Sequence, residues 1–178
     1  MKTVRPTKLD LIAATTRRVP DVIVPDLAVL FSGINPGLYS AATGHHFARP
    51  GNRFWPALHG AGFSDRVLHP SQQGELLKDR YGITNLVNRA TATAEEVAPA
   101  EFAAGAKKLA AKVRRYRPKA VAFLGVGAYC QAFGLKAAAI GRQPERFEGA
   151  EVWVLPNPSG LNANYQLADL VKLFRQLL

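Results

Sequence analysis

Residues 27–37 read LAVLFSGINPG. The run from Leu27 to Phe31 is apolar without a break, which is the pattern of a strand covered on both faces. GINPG then stops it abruptly, with Asn35 and Pro36 set between glycines. The same construction recurs at 152–161, VWVLPNPSGL, where Asn157 and Pro158 follow the apolar run. A single Asn-Pro pair near Gly is an ordinary turn signal. Two of them, each closing a buried strand, predict loops that meet at one edge of a sheet.

Working outward from these two strands gives the rest of the chain. Apolar runs at 82–87 (GITNLV) and 120–124 (AVAFL) add strands. Helices are expected between them: from Asn52 as N-cap, from Ser71 as cap, from Pro99 to just before Pro118, and a short one from Gly125 to Phe133. A terminal amphipathic helix spans 165–178, while 38–51 and 134–150 are expected to be irregular. Strands alternating with helices make βαβ units, so the fold class is α/β with a mainly parallel sheet and helices on both faces. Ligands of such sheets sit beyond the carboxyl ends of the strands, where GINPG and NPSGL both lie. Residues 1–25, with a short helix at Leu9–Arg18, form a polar lead-in expected to be partly disordered; 26–178 form a single domain.

Composition limits the function classes. The chain has 178 residues, 48% hydrophobic and 20% charged, as in an ordinary globular protein. No apolar run approaches the roughly 20 residues needed to cross a bilayer, and the N-terminus lacks the apolar core of a signal peptide. The single cysteine, Cys130, leaves no disulfide framework and suits a reducing cytoplasm. Four histidines without ligand spacing give little support to a metal site, His45-His46 included. Lys and Arg number 23 against 13 Asp and Glu, a net charge of +10 that favours a polyanionic partner, nucleic acid first. Seven of those bases fall between Ala104 and Ala120. On a helix, Phe102, Ala106, Leu109, Val113 and Tyr116 make the buried stripe, with Lys108, Lys112 and Arg115 on the outer face. That face is either solvated or a phosphate-binding ridge.

Neither Asn-Pro loop carries a nucleophile–base pair or a phosphate loop; GINPG lacks both the G-x-G-x-x-G spacing and the GK[ST] ending. Asn35 offers a neutral carboxamide, which positions a water or reads a polar ring edge but does not abstract protons. Asn157 and Ser159 are polar anchors. Leu161 at the second loop's tip suits a wedge between stacked bases or a lid on the core. Phe47 is placed to stack on a base.

GINPGLYSAATGHHFARPGNRFWPAL, GITNLVNRATA and VWVLPNPSGLN together resemble the mismatch-specific, double-strand uracil-DNA glycosylases, the Mug and thymine-DNA glycosylase branch. The likeness runs in order from about Leu27 to the C-terminus. It implies a three-layer α/β/α sandwich with a short, mainly parallel sheet and no metal or cofactor. It implies excision of uracil, and of ethenocytosine or thymine, opposite guanine in duplex DNA. The product is an abasic site, without a lyase step, and base excision repair follows. By that resemblance Asn35 positions the attacking water; Ile34 and Ser40 line the base pocket; Phe47 stacks on the flipped base; and Asn157 sits at the pocket. Ser159, Gly160, Leu161 and Asn162 form the intercalation loop, with backbone groups near Gly160 and Asn162 meeting the orphaned guanine. The faster uracil-specific branch has an aspartate where this chain has Asn35, so slower chemistry is expected.

The sequence departs from the family after Leu161, where Ser-Arg is common and Asn162-Ala163 stands here, and at His45-His46, which are more polar than usual. Glu95 or Glu96, on the 88–97 loop, is a candidate base assisting Asn35, although acids on such loops are ordinarily just solvated. The expected partner is double-stranded DNA with a G·U or G·T mismatch, met by a cytoplasmic, nucleoid-associated monomer. The alternatives are a non-catalytic binder of mismatches or abasic sites, and a flavodoxin-like domain acting on a small molecule.

Overall fold

A computed structural model describes residues 5–178. Its five strands are β1 (Val29–Gly33), β2 (Tyr81–Asn85), β3 (Ala120–Leu124), β4 (Gly141–Phe147) and β5 (Ala150–Leu155). They form one sheet in the order β2-β1-β3-β5-β4, parallel throughout except for the antiparallel β4–β5 pair. The helices are α1 (Lys8–Ala13), α2 (Leu38–Thr43), α3 (Phe54–Ala61), α4 (Pro99–Tyr116), α5 (Val126–Phe133) and α6 (Leu167–Arg175).

The period of two along each strand divides the apolar runs between two cores. Val29 and Phe31 of β1, with Ala120, Ala122 and Leu124 of β3, pack under α3 and α6. Leu30, Val121 and Phe123 face the other way, under α4 and α5. The result is the expected three-layer α/β/α sandwich with a mainly parallel sheet. The uninterrupted apolar character of β1 and β3 is thereby explained, since every side chain enters one core or the other.

Several elements differ from expectation. The 134–150 stretch holds β4, whose sequence GRQPERF is polar, mostly exposed and carries a proline. An edge strand needs no apolar signature and tolerates Pro144 beside the register shift between Arg142 and Arg146. Its hairpin turns on Glu148 and Gly149, both with positive φ (51° and 86°), the geometry of tight β-hairpins. The segment expected as a helix from Ser71 is a 3-10 run, Pro70–Asp79, capped by His69 rather than Ser71. The loop after GINPG contains α2. At α3, Asn52 Oδ1 accepts the Phe54 N–H at 2.9 Å, so the residue expected as cap does bind the first turn.

In the lead-in, residues 1–4 lie outside the described residues, 5–18 are largely exposed apart from the buried Ala14, and 19–24 pack onto the sheet. Beyond α1, Val19 and Val22 are buried, and Val22 exchanges both backbone hydrogen bonds with Ile83 at the outer edge of β2. Asp21 accepts from the buried Thr84 hydroxyl at 2.7 Å and pairs with Lys112 Nζ at 2.6 Å, and Lys112 also reaches Thr84 at 2.9 Å. Lys112 therefore does not project from the outer face of α4 as expected. Its stem lies over the helix flank and its ammonium ties the 19–24 segment to the sheet.

Candidate active site

Both Asn-Pro loops open onto one cavity of about 460 Å³ beyond the carboxyl ends of β1, β2 and β5. Ile34, Asn35, Ser40, Phe47, Glu95, Asn157, Ser159, Leu161 and Asn162 all line it. Residues 120 positions apart are neighbours because β1 and β5 both end at this edge.

The floor is built by pairing between loops. Gly33 stands opposite Asn85 in the β1–β2 register. A Cβ at Gly33 would lie 2.5 Å from Asn85 Oδ1 and 3.1 Å from the Phe47 ring, so only glycine admits both side chains there. The backbone of 33–38 continues to pair with 86–91: Val87 N–H donates to Ile34 O, Thr91 N–H to Pro36 O and Leu38 N–H to Thr91 O. Within this frame Asn35 Nδ2 donates to Arg89 O at 3.0 Å and to Thr91 Oγ1 at 2.6 Å. A carbonyl only accepts, so the amide nitrogen must face Arg89. The Thr91 hydroxyl donates its own hydrogen bond to Thr93 O at 2.6 Å. Both Asn35 N–H groups are thus consumed, and Oδ1 is left to accept a hydrogen bond from a molecule in the cavity.

Phe47 holds a left-handed backbone conformation, φ 52°, unusual for a bulky side chain. Its ring stacks on Phe54 with centroids 4.1 Å apart, and the Trp55 indole donates to the neighbouring His46 carbonyl at 3.2 Å. The strain is held by α3, whose first turn supplies both partners. Ser40 is buried, and its hydroxyl accepts the Ala48 N–H at 3.1 Å, closing the loop that carries Phe47.

The second loop is built differently. Asn157 Oδ1 accepts the Ser159 N–H at 3.0 Å, a local turn that leaves the Asn157 amide nitrogen without a partner among the described residues. Arg53, at the start of α3, lies beneath the loop. Its guanidinium donates to the carbonyls of Ser159 and Tyr165, and to that of Asn162 at 2.8 Å. A Cβ at Gly160 would come 2.6 Å from the Gly51 carbonyl, so glycine lets this loop rest on the 47–53 loop. From that mount Leu161 projects 73% exposed at the cavity rim. It is not a lid on the core. Asn162 is committed inward: its N–H donates to Ser159 O, its carbonyl accepts from Arg53 and its amide donates to Asn157 O. It therefore does not offer the free backbone expected of it toward an orphaned base. The N–H and carbonyl of Gly160 engage no partner among the described residues.

Glu95 and Glu96 separate cleanly. Glu96 accepts the Thr93 N–H at 2.8 Å and is occupied there, whereas Glu95 is exposed, makes no hydrogen bond and lines the cavity. Nearby, Glu101 is held down to about 2 by the Arg89 guanidinium and by the Ala98 N–H. That pair secures Arg89, whose carbonyl anchors Asn35.

Sequence reasoning did not single out Arg53, Thr91, Asn85 or the role of His46. Asn85 and His46 are buried polar residues beside the cavity, with Asn85 Nδ2 3.3 Å from His46 Nδ1. Burial drives the His46 pKa down to about 4, outweighing the Pro20 carbonyl and Asp21. The polar dipeptide Thr84-Asn85 inside a buried strand was the available signal for Asn85. The basic end of α4 lies elsewhere: Tyr116 O accepts from Asp26 N–H and Lys119 N–H donates to Leu27 O, at the edge where β1 begins. Arg114 and Arg117 are paired there with Glu148 and Asp26. That end is across the sheet from the cavity, whose own rim carries Arg49.

The fold and sequence have relatives. The solution structure of a candidate uracil DNA glycosylase from Methanosarcina acetivorans aligns with a TM-score of 0.57 over 90% of this chain and 97% of that one, at 19% identity, a likeness of fold. The family model described as the uracil DNA glycosylase superfamily matches residues 20–178, which include β1 through α6 and both Asn-Pro loops. With nearly the whole described chain inside that match, the protein belongs to the uracil DNA glycosylase superfamily.

Proposed function

We propose that this protein is a monofunctional, mismatch-specific glycosylase of the Mug and thymine-DNA glycosylase branch. It flips uracil, and also ethenocytosine or, more weakly, thymine, from opposite guanine in duplex DNA and hydrolyses the N-glycosidic bond. The carrying observation is the pairing of Asn35 with Leu161 across one cavity: an amide with both donors pinned and its acceptor open, facing an exposed apolar wedge.

The steps follow from these groups. Leu161 enters the base stack and occupies the space of the flipped nucleotide, which costs a few kcal/mol and least at a mismatch. The base enters the cavity against the Phe47 ring, with the Asn85 carboxamide at its polar edge. Cleavage of the C1′–N1 bond leaves a sugar with oxocarbenium character and the base as an anion. Water held by Asn35 Oδ1 adds to C1′ and loses its proton, giving the abasic site. A neutral amide places that water without activating it, which makes for slow chemistry. Among the described residues, Glu95 at the mouth is the one carboxylate lining the cavity that can receive the proton. A lyase step needs an amine, and no lysine lines the cavity among the described residues.

The test is a labelled duplex with one G·U pair, incubated with protein and then treated with hot alkali. Strand cleavage at the uracil is expected, weaker for A·U. No cleavage at any enzyme excess overturns the reading, and tight binding without cleavage makes the protein a mismatch sensor instead.

A further inference from the structure

Arg89 serves two openings. Its carbonyl fixes Asn35 in the cavity floor, and its side chain lies in a second cleft, of about 350 Å³, at the same edge of the sheet. That cleft is lined by 86–89, which follow the carboxyl end of β2, by the first half of α4, and by 15–18 of the lead-in. A Cβ at Gly105 would lie 2.3 Å from the Leu86 carbonyl, so glycine brings α4 close on this side. Arg17, Arg18 and Lys108 stand exposed in the cleft and form no ion pair among the described residues. Its one carboxylate, Glu101, is spent on Arg89 through two hydrogen bonds of 2.8 Å. The Thr16 hydroxyl and the Asn88 carboxamide make no hydrogen bond among the described residues and add neutral donors. Of the bases expected on the outer face of α4, Lys108 alone is at this edge. Lys112 is bound to Asp21, and Arg115 lies near the end of the helix that leads into the start of β3.

We infer that this cleft is a second contact with the substrate, in which Arg17, Arg18 and Lys108 hold backbone phosphates of the duplex that flank the flipped nucleotide. The inference rests on the proposed function and adds where the duplex is gripped. Arg17 and Arg18 precede the stretch matched by the superfamily model, 20–178, so family membership does not imply them. Duplex DNA carries one negative charge per about 1.7 Å of its axis, so a duplex presenting one nucleotide to the cavity brings several phosphates over this edge. A stacked base is not the occupant, because no aromatic side chain lines the cleft among the described residues. Cations and neutral donors without an aromatic platform grip the backbone and carry no sequence information. Each phosphate neutralised releases counterions, and its contribution therefore falls as salt rises.

The experiment measures affinity against salt for two duplexes, one with cleavage-resistant 2′-fluorodeoxyuridine opposite guanine and one fully paired. The cleft variant combines Arg17→Gln, Arg18→Gln and Lys108→Gln. A distant variant combines Lys78→Gln, Arg115→Gln and Lys119→Gln, which remove the same charge from exposed positions at the edge where β2 and β3 begin. At about 0.9 per lost phosphate contact, the cleft variant should flatten the plot of log affinity against log salt by about 2 to 3. Wild type should then lose roughly 40-fold more affinity than the cleft variant between about 0.05 and 0.2 M salt. Both duplexes should be weakened alike, and the distant variant should change the slope by less than about 1. The slope is insensitive to the fraction of folded protein, which scales every point equally. A shift above about 1 confined to the cleft variant supports the contact. A smaller shift, or one matched by the distant variant, overturns this inference alone when wild type still excises uracil from G·U. A wild type that neither binds the duplexes nor excises uracil overturns it together with the proposed function.

Discussion

The two Asn-Pro loops share a dipeptide and do opposite mechanical work. In the first, Asn35 is tied to a neighbouring loop, through Arg89 and Thr91, and its side chain is immobilised in the cavity. In the second, Asn157 spends its oxygen on its own chain, at Ser159 N–H, and the anchor comes from Arg53 below. One loop fixes its functional atom at the cavity floor; the other lifts Leu161 into solvent. Asn-Pro ends a strand sharply in both, and what the following residues touch decides whether the loop becomes floor or rim.

The largest expected effect breaks the floor. Asn35→Ala removes the water's acceptor and should lower single-turnover excision by on the order of 10²–10³-fold. Abasic-site affinity should stay within a few-fold, because the wedge loop is untouched; equal loss of both would merge the two roles.

The floor should also respond to acid. Burial lowers the His46 pKa in the folded state to about 4 from 6.5, so the unfolded chain binds more protons between those values. Stability is then complete above about pH 6.5 and is lost as pH falls toward 4, by about 3 kcal/mol at full protonation. His45, lowered by burial and by His69, acts in the same sense. Urea unfolding should show a shallower slope for His46→Gln than for wild type over pH 6.5–5, above the range of most carboxylates.

At the rim, Arg53→Ala removes a donor from three loop carbonyls, of which Ser159 O keeps the Asn162 N–H, and should cost about 2 kcal/mol of stability. Leu161→Ala should cost almost no stability, since the side chain is largely in water, yet lower kcat/KM on G·U duplex by about 10-fold. Calorimetry beside kinetics checks the pair; a large melting shift in Leu161→Ala would refute its role as a free wedge. The smallest change is expected of Glu95→Ala, within about 3-fold in single-turnover excision at neutral pH. A loss above 10-fold would make it a full general base.

Much of this site was legible because the apolar runs and their stops are local. The β1 and β3 runs, the Pro99 start of α4 and the two Asn-Pro stops follow from residue type and spacing within about a dozen positions. β4 was not legible, since an edge strand that carries a proline and is mostly exposed has the composition of a loop. Lys112 was misplaced because helical periodicity gives a direction from the axis, not the identity of what packs on that flank. Arg53 stood within a quoted motif, but nothing in NRFW says that its guanidinium reaches carbonyls more than a hundred residues away.

By itself the sequence determined the layered α/β class, the edge of the sheet where the loops meet, and the residue types available there. Tertiary structure alone decided which polar atoms remain unsatisfied. Asn35 Oδ1 is open because two partners from another loop consume its nitrogen, and Leu161 is exposed because Arg53 and Gly51 support the loop from beneath. Hydrogen-bond capacity belongs to the residue. Whether it is already spent depends on neighbours that only folding supplies.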